Sequence, residues 1–167
     1  MEETIISDWN KAVQKNDVVN ILGDVIWSPH KEDWLRIMKS LNGCKTLIRG
    51  NHDIKQFPSE LKSCLADIKD RKEVTDNGRH VIMDHYPILC YKASYNPDVW
   101  MLHGHTHTTR EQDFVEKWTR ELIKSKTTNS DNCGHIMNVG CMMPYMNFVP
   151  QTLDTIIEAW KCKYNIE

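Results

Sequence analysis

Residues 48–54, Ile48-Arg49-Gly50-Asn51-His52-Asp53-Ile54 ("IRGNHDI"), close an apolar run with a cation and a glycine, then set an amide, an imidazole and a carboxylate side by side. Each of the three polar groups can bind a metal or move a proton. The run before them, "CKTLIR" (44–49), reads as a strand, so the trio stands at a strand end. Upstream, "VVNIL" (18–22) is a second short apolar run, stopped by Gly23-Asp24. Between the two, Trp34, Leu35, Met38 and Leu41 recur at helical spacing and Asn42-Gly43 supplies a stop. Ile5, Ile6, Trp9 and Val13 share one face of an opening helix over residues 2–14. Helix, strand, helix, strand predicts a parallel α/β unit.

Downstream, Pro58-Ser59 opens a short helix reaching about residue 66. "KEVT" and "RHVIMDH" flank Asp76-Asn77-Gly78, a hairpin signal because Asn-Gly tolerates the positive φ of a tight turn. "DVWMLHGHTH" predicts a strand running into a His-rich loop. Phe114, Val115, Trp118 and Leu122 share a helical face, and the polar "KSKTTNSDN" after them reads as a mobile loop. "HIMNVG" is a late strand, and Thr152 caps a closing helix to about residue 161. With no repeat and no internal boundary, residues 1–167 read as one domain.

Composition excludes several classes. With 167 residues, 40% apolar, 26% charged and a net charge of −2, the chain is an ordinary globular protein without a general pull toward nucleic acid or membrane. No apolar run nears the roughly 18 residues of a membrane span, and the acidic start "MEETIISDWN" is no secretory signal. Six cysteines, at 44, 64, 90, 133, 141 and 162, form no CxxC pair and read as reduced, buried or half-buried thiols of a cytoplasmic protein.

Four polar clusters follow predicted strands: Gly23-Asp24, Gly50-Asn51-His52-Asp53, Asp84-His85 and Gly104-His105-Thr106-His107. Strand C-terminal ends of an α/β sheet share one edge, where ligands bind, and glycine lets the backbone approach closely. Asp24 offers a carboxylate able to bridge cations, Asn51 an amide oxygen, and His85, His105 and His107 imidazole nitrogens. A mixed nitrogen and oxygen set suits Mn²⁺, Fe or Zn²⁺ better than Ca²⁺ or Mg²⁺. If their strand stays extended, His105 and His107 face the same side. Each cluster alone has a plain structural reading as a turn, a core histidine or a solvated loop; their joint occurrence at strand ends argues for a site.

The series "ILGDV", "IRGNHD", "DHYPI", "HGHTH" resembles the calcineurin-like metallophosphoesterase superfamily, especially its small bacterial and phage members, over essentially the whole chain. The "NVG" stretch and the closing helix are also similar. The resemblance implies an α/β/β/α sandwich and a metal-dependent phosphoesterase, cleaving a phosphomonoester or phosphodiester with water activated by paired metals. It implies Asp24 as the bridging ligand, Asn51, His85 and His105 completing one metal site, and His107 in the other. His52 is implied as the catalytic residue, acting as general acid or charge stabiliser at the leaving oxygen. Mn²⁺ leads the expected metals, with Fe, Zn and Ni as alternatives.

Two departures qualify that resemblance. Such enzymes open with an Asp-x-His motif on a first strand, and no aspartate here is followed two places later by histidine. The fold is therefore expected to lack its first strand, with that strand encoded upstream of Met1. Site one then keeps Asp24 and His107, and this chain is expected to hold about one tight cation and to turn over poorly. His30 and Asp8 could substitute, although their spacing gives no support. The missing strand would bare a sheet edge and favour a homo-oligomer. Second, Trp27 stands where the protein Ser/Thr phosphatases carry an aspartate that orients the catalytic histidine, which disfavours that branch. Trp27 reads as core, and Asp53 is the candidate to orient His52. The alternative function is a noncatalytic one-metal remnant serving as a binding or interaction module.

Overall fold

The computed structural model describes residues 2–125 and 134–166. Most of the expected loop after residue 124 lies outside the described residues, as does Cys133. In chain order the elements are α1 (Glu2–Ala12), β1 (Val18–Ile21), α2 (Lys31–Ser40), β2 (Cys44–Ile48), α3 (Ser59–Lys62) and β3 (Asp67–Lys69). There follow β4 (Arg71–Asp76), β5 (Arg79–Asp84), β6 (Val99–His103), α4 (Arg110–Ser125), β7 (Ile136–Asn138) and α5 (Leu153–Tyr164). Strands β1, β2 and β3 form one parallel sheet in that order. The second sheet runs β4-β5-β6-β7, antiparallel across its hairpin and parallel thereafter. Asn77 and Gly78 both hold positive φ, 48° and 84°, as a two-residue turn between right-handed twisted strands requires.

Side chains alternate along the strands and so build three layers. From the second sheet, Val81, Met83, Trp100, Leu102 and Met137 meet Ile48 and Leu22 of the first in the central core. Their neighbours Ile82, Val99, Met101 and Ile136 face outward, onto Val115 of α4. On the far side of the first sheet, Leu47, Ile21 and Ile68 pack against Trp34 and Met38 of α2 and Leu61 of α3. Sheets therefore lie face to face with helices outside, the α/β/β/α sandwich that the resemblance implied. Helix α5 sends Ile156, Trp160 and Tyr164 into the central layer; Thr152 caps it, its hydroxyl accepting from the Thr155 N–H. No helix among the described residues is long and apolar enough to cross a membrane.

Several expectations are corrected. The short helix after Pro58 ends at Lys62, and the chain then adds β3, whose single apolar residue Ile68 gives too little pattern to read. Helix α4 buries Gln112, Val115 and Thr119, whereas Phe114 is 65% exposed and Trp118 39%. The buried face turns toward Gln112 because its side chain serves the loop at residues 104–107 (below). Among the described cysteines, 44, 90, 141 and 162 are exposed and only Cys64 is half-buried, because they stand in loops, at the start of β2 or on the outer face of α5 rather than in the core.

One buried group makes the fold acid-sensitive. His135 stacks on Trp100 with centroids 4.3 Å apart and meets Trp160 edge-on at 4.7 Å. Burial pushes its imidazole down to about 4. The unfolded chain therefore takes up this proton first as pH falls, so its contribution is complete above about 6.5 and is lost on the way to about 4. In metal-free protein, urea unfolding at pH 7 and pH 4 should show the wild type losing about 2–3 kcal/mol more than His135→Phe. Equal losses would show that His135 carries no such linkage.

Candidate metal centre

The two sheets meet at their C-terminal strand ends, and there the sequence places one imidazole between them. His85, just past β5 and 1% exposed, donates its Nδ1–H to the Leu22 carbonyl at 2.7 Å, just past β1. A carbonyl can only accept, so this bond fixes the tautomer and leaves a lone pair on Nε2 of the neutral ring. That nitrogen faces Asn51 Oδ1 at 3.0 Å, Asp24 Oδ2 at 3.3 Å and His105 Nδ1 at 3.2 Å. Donor atoms of Asp24, His85 and His105 all lie within 4.8 Å of one another.

Such a set needs a positive charge at its centre. Carboxylate, amide oxygen and imidazole nitrogens all present lone pairs, so a proton or a cation must sit among them. Ligands held about 2.1 Å from one ion stand about 3.0–3.4 Å apart at tetrahedral or octahedral angles. The three contacts of His85 Nε2 match that spacing, and the donor set fits a divalent transition cation.

Local backbone explains how the groups come so close. Gly23 has φ +81°, and a Cβ there would lie 2.5 Å from both the Gly50 nitrogen and His85 Nδ1. A Cβ on Gly50 would meet Asp24 Oδ1 at 2.2 Å. Asp24, His105 and His107 adopt left-handed φ of 51°, 56° and 45°, a conformation that L-residues hold only under surrounding constraint. For Asp24 the constraint is the His52 N–H, which donates to its Oδ1 at 2.8 Å. Asp53 braces the same turn from beneath, accepting from Gly50 N–H (2.8 Å) and Val25 N–H (3.1 Å). Burial raises the Asp53 carboxyl above the usual carboxylate range, and those N–H bonds offset part of the effect.

Asn138 shapes the loop at residues 104–107. Its buried amide nitrogen donates to Thr106 Oγ1, Gln112 Oε1 and the His107 carbonyl, while its Oδ1 accepts from the Gly140 N–H. His105 thereby turns Nδ1 to the cluster, with Nε2 3.9 Å from Glu111. Burial, then the neighbouring His85, lower the His105 imidazole below its ordinary value. His103, wholly buried beneath, is pushed down to about 4 by desolvation and donates to the Gly104 carbonyl.

Of the expected site residues, Asp24, Asn51, His85 and His105 come together. His107 stands outside this cluster with an exposed side chain. Because both 105 and 107 are left-handed, the loop is not extended, and the condition on which the same-side expectation rested is not met. Asp84 is a turn brace, paired with Arg71 and accepting the Tyr86 N–H. Asp8 pairs with Lys11, away from the cluster. Trp27, expected in the core, is 80% exposed and lies against the His52 ring, centroids 4.2 Å apart; Asp53 is spent on backbone and does not orient that ring. Sequence reasoning missed the Leu22 carbonyl, Glu111 and the role of Asn138. Backbone acceptors leave no trace in side-chain pattern, and the "NVG" stretch was the only signal for Asn138.

Gly50→Ala tests this construction. The added methyl collides with Asp24, so the variant should remain folded yet bind Mn²⁺ or Zn²⁺ at least about tenfold more weakly by calorimetry. Unchanged affinity would mean that Asp24 is free to move without cost.

Comparison with known proteins gives the family. An uncharacterized protein of Methanocaldococcus jannaschii is 31% identical over 159 residues, spanning 95% of this chain and 74% of that one. A solved structure of a protein of unknown function from Aquifex aeolicus shares the fold, with TM-score 0.63 and 23% identity over 95% of this chain and 84% of that one. A family model for calcineurin-like phosphoesterases matches residues 3–165. With its match spanning the sheets and every cluster residue, the chain belongs to the calcineurin-like phosphoesterase family.

Proposed function

We propose that this protein is a metal-dependent phosphoesterase that hydrolyses a phosphomonoester or phosphodiester. The observation that carries the reading is the convergence of Asp24, Asn51 and His105 on the lone pair of His85 Nε2, in a chain of this family. A divalent cation held there, for which we favour Mn²⁺, supplies Lewis acidity toward the ester and makes water nucleophilic near neutral pH.

The residues divide the remaining work. Asp24, Asn51, His85 and His105 hold the ion, and the Leu22 carbonyl keeps His85 in the tautomer that can ligate. His107 is assigned to a second cation that would share Asp24. His52 is assigned the proton for the leaving oxygen. Its backbone is tied to Asp24 while its side chain is exposed, so the ring can address a substrate that the ion positions. A second reading, a binding module that carries one cation without turnover, draws support from the absence of any Asp-x-His pair in the sequence. Donors for one cation cluster among the described residues, which favours it as well.

Stripping and reloading separate the two. Chelated protein should be inert toward 4-nitrophenyl phosphate and bis(4-nitrophenyl) phosphate, and Mn²⁺ should restore hydrolysis of at least one. A folded, metal-loaded chain without turnover favours the binding module. In the active form His52→Ala should lower kcat about 100-fold or more with metal content retained. Asn51→Ala should instead weaken metal binding about 10- to 100-fold. Loss of metal from the His52 variant would mean that it ligates.

A further inference from the structure

The metal cluster accounts for the phosphate end of an ester, and it leaves two exposed aromatic rings beside it without a task. Trp27 follows Ile26, which is 8% exposed and anchored under α2, so the chain pins one residue inward and holds the next outward. Four-fifths of the Trp27 surface is open to solvent, in a chain that buries Trp34 and Trp160 almost completely. Its indole nonetheless touches a neighbour, tilted 40° against the His52 imidazole. Tyr86, 46% exposed, meets the rings of His85 and His105 edge-to-face, with centroids 5.0 and 4.5 Å away. It also walls a cleft of about 340 Å³ with Asn51, Arg49 and Lys55. Asp70 neutralises Arg49 there, whereas the exposed Lys55 ammonium has no carboxylate partner among the described residues.

We propose that Trp27 is a stacking platform for a planar heteroaromatic ring carried by the leaving alcohol, so that the substrates are nucleoside phosphates rather than phosphates of purely aliphatic alcohols. The inference rests on the phosphoesterase reading, because it takes the leaving oxygen to lie at His52. Whatever that oxygen carries emerges beside the ring that His52 touches, which is the indole. A nucleobase covers an exposed indole face without needing any particular hydrogen-bonding pattern, and base–aromatic stacking of this kind raises affinity about tenfold. An aliphatic alcohol or bare sugar offers no such face.

Adenosine 5′-phosphate and ribose 5-phosphate share the same C5′–O–P linkage and differ by the base, so they isolate the platform from the chemistry. With Mn²⁺-loaded protein, kcat/KM should be about tenfold higher for the nucleotide, mainly through KM. Trp27→Ala should close most of that gap, its loss on the nucleotide exceeding its loss on ribose 5-phosphate about tenfold, while Trp27→Phe keeps most of the preference. Equilibrium dialysis with the same two esters reads binding without turnover and should show the same order. Equal kcat/KM and equal binding in the wild type would overturn the platform while leaving the phosphoesterase standing. So would a Trp27→Ala variant that loses kcat alike on both esters, since Trp27 would then only steady His52. A base-dependent binding preference without hydrolysis of either ester would sustain the platform and sink the phosphoesterase reading.

Discussion

One hydrogen bond organises the site: the Nδ1–H of His85 to the carbonyl of Leu22. It joins the end of a strand in one sheet to the end of a strand in the other. The same bond fixes which nitrogen of His85 carries a proton, and so leaves Nε2 with a lone pair. Gly104 belongs to the same knot. Its N–H donates to the His85 carbonyl, and a Cβ on it would lie 3.0 Å from the Leu22 oxygen. Position, tautomer and sheet-to-sheet register are thus set by one small group of backbone contacts around a buried imidazole.

Close approach has a conformational cost, which the structure confines to the metal centre and a few turns. Asp24, His105 and His107 hold left-handed backbone without the relief that glycine enjoys. The strain persists because each turn is held from the side: His52 and Asp53 around residue 24, Asn138 and Thr106 around residue 107. Lone pairs crowded about 3 Å apart add electrostatic strain that a bound cation removes. The arrangement is better suited to the loaded state than to the empty one, as expected of a centre whose folding and metal affinity are coupled.

Every strand but β3, the hairpin at Asn77-Gly78 and the capped closing helix were legible because alternation, turn chemistry and capping are local signals. Asp24, Asn51, His85 and His105 were legible for a different reason: each follows a glycine or a strand end, and parallel strand ends share an edge. What escaped was non-local. Trp27 looked like core by composition, yet Ile26 takes the buried position and the indole turns outward onto His52. Gln112 occupies the buried face of α4 because Asn138 and Thr106 need a polar partner there, which no hydrophobic period reveals, and buried Thr119 satisfies its hydroxyl on the Val115 carbonyl. The side-by-side geometry expected of His105 and His107 assumed an extended strand, and the chain leaves the β region at both residues.

Anomalous diffraction from crystals grown with Mn²⁺ tests the central claim most directly. The account predicts a peak coordinated by His85 Nε2, Asp24, Asn51 Oδ1 and His105 Nδ1, with His85 still donating from Nδ1 to Leu22. A metal-free cluster under saturating Mn²⁺, with a protonated His85 supplying the positive charge instead, would contradict it.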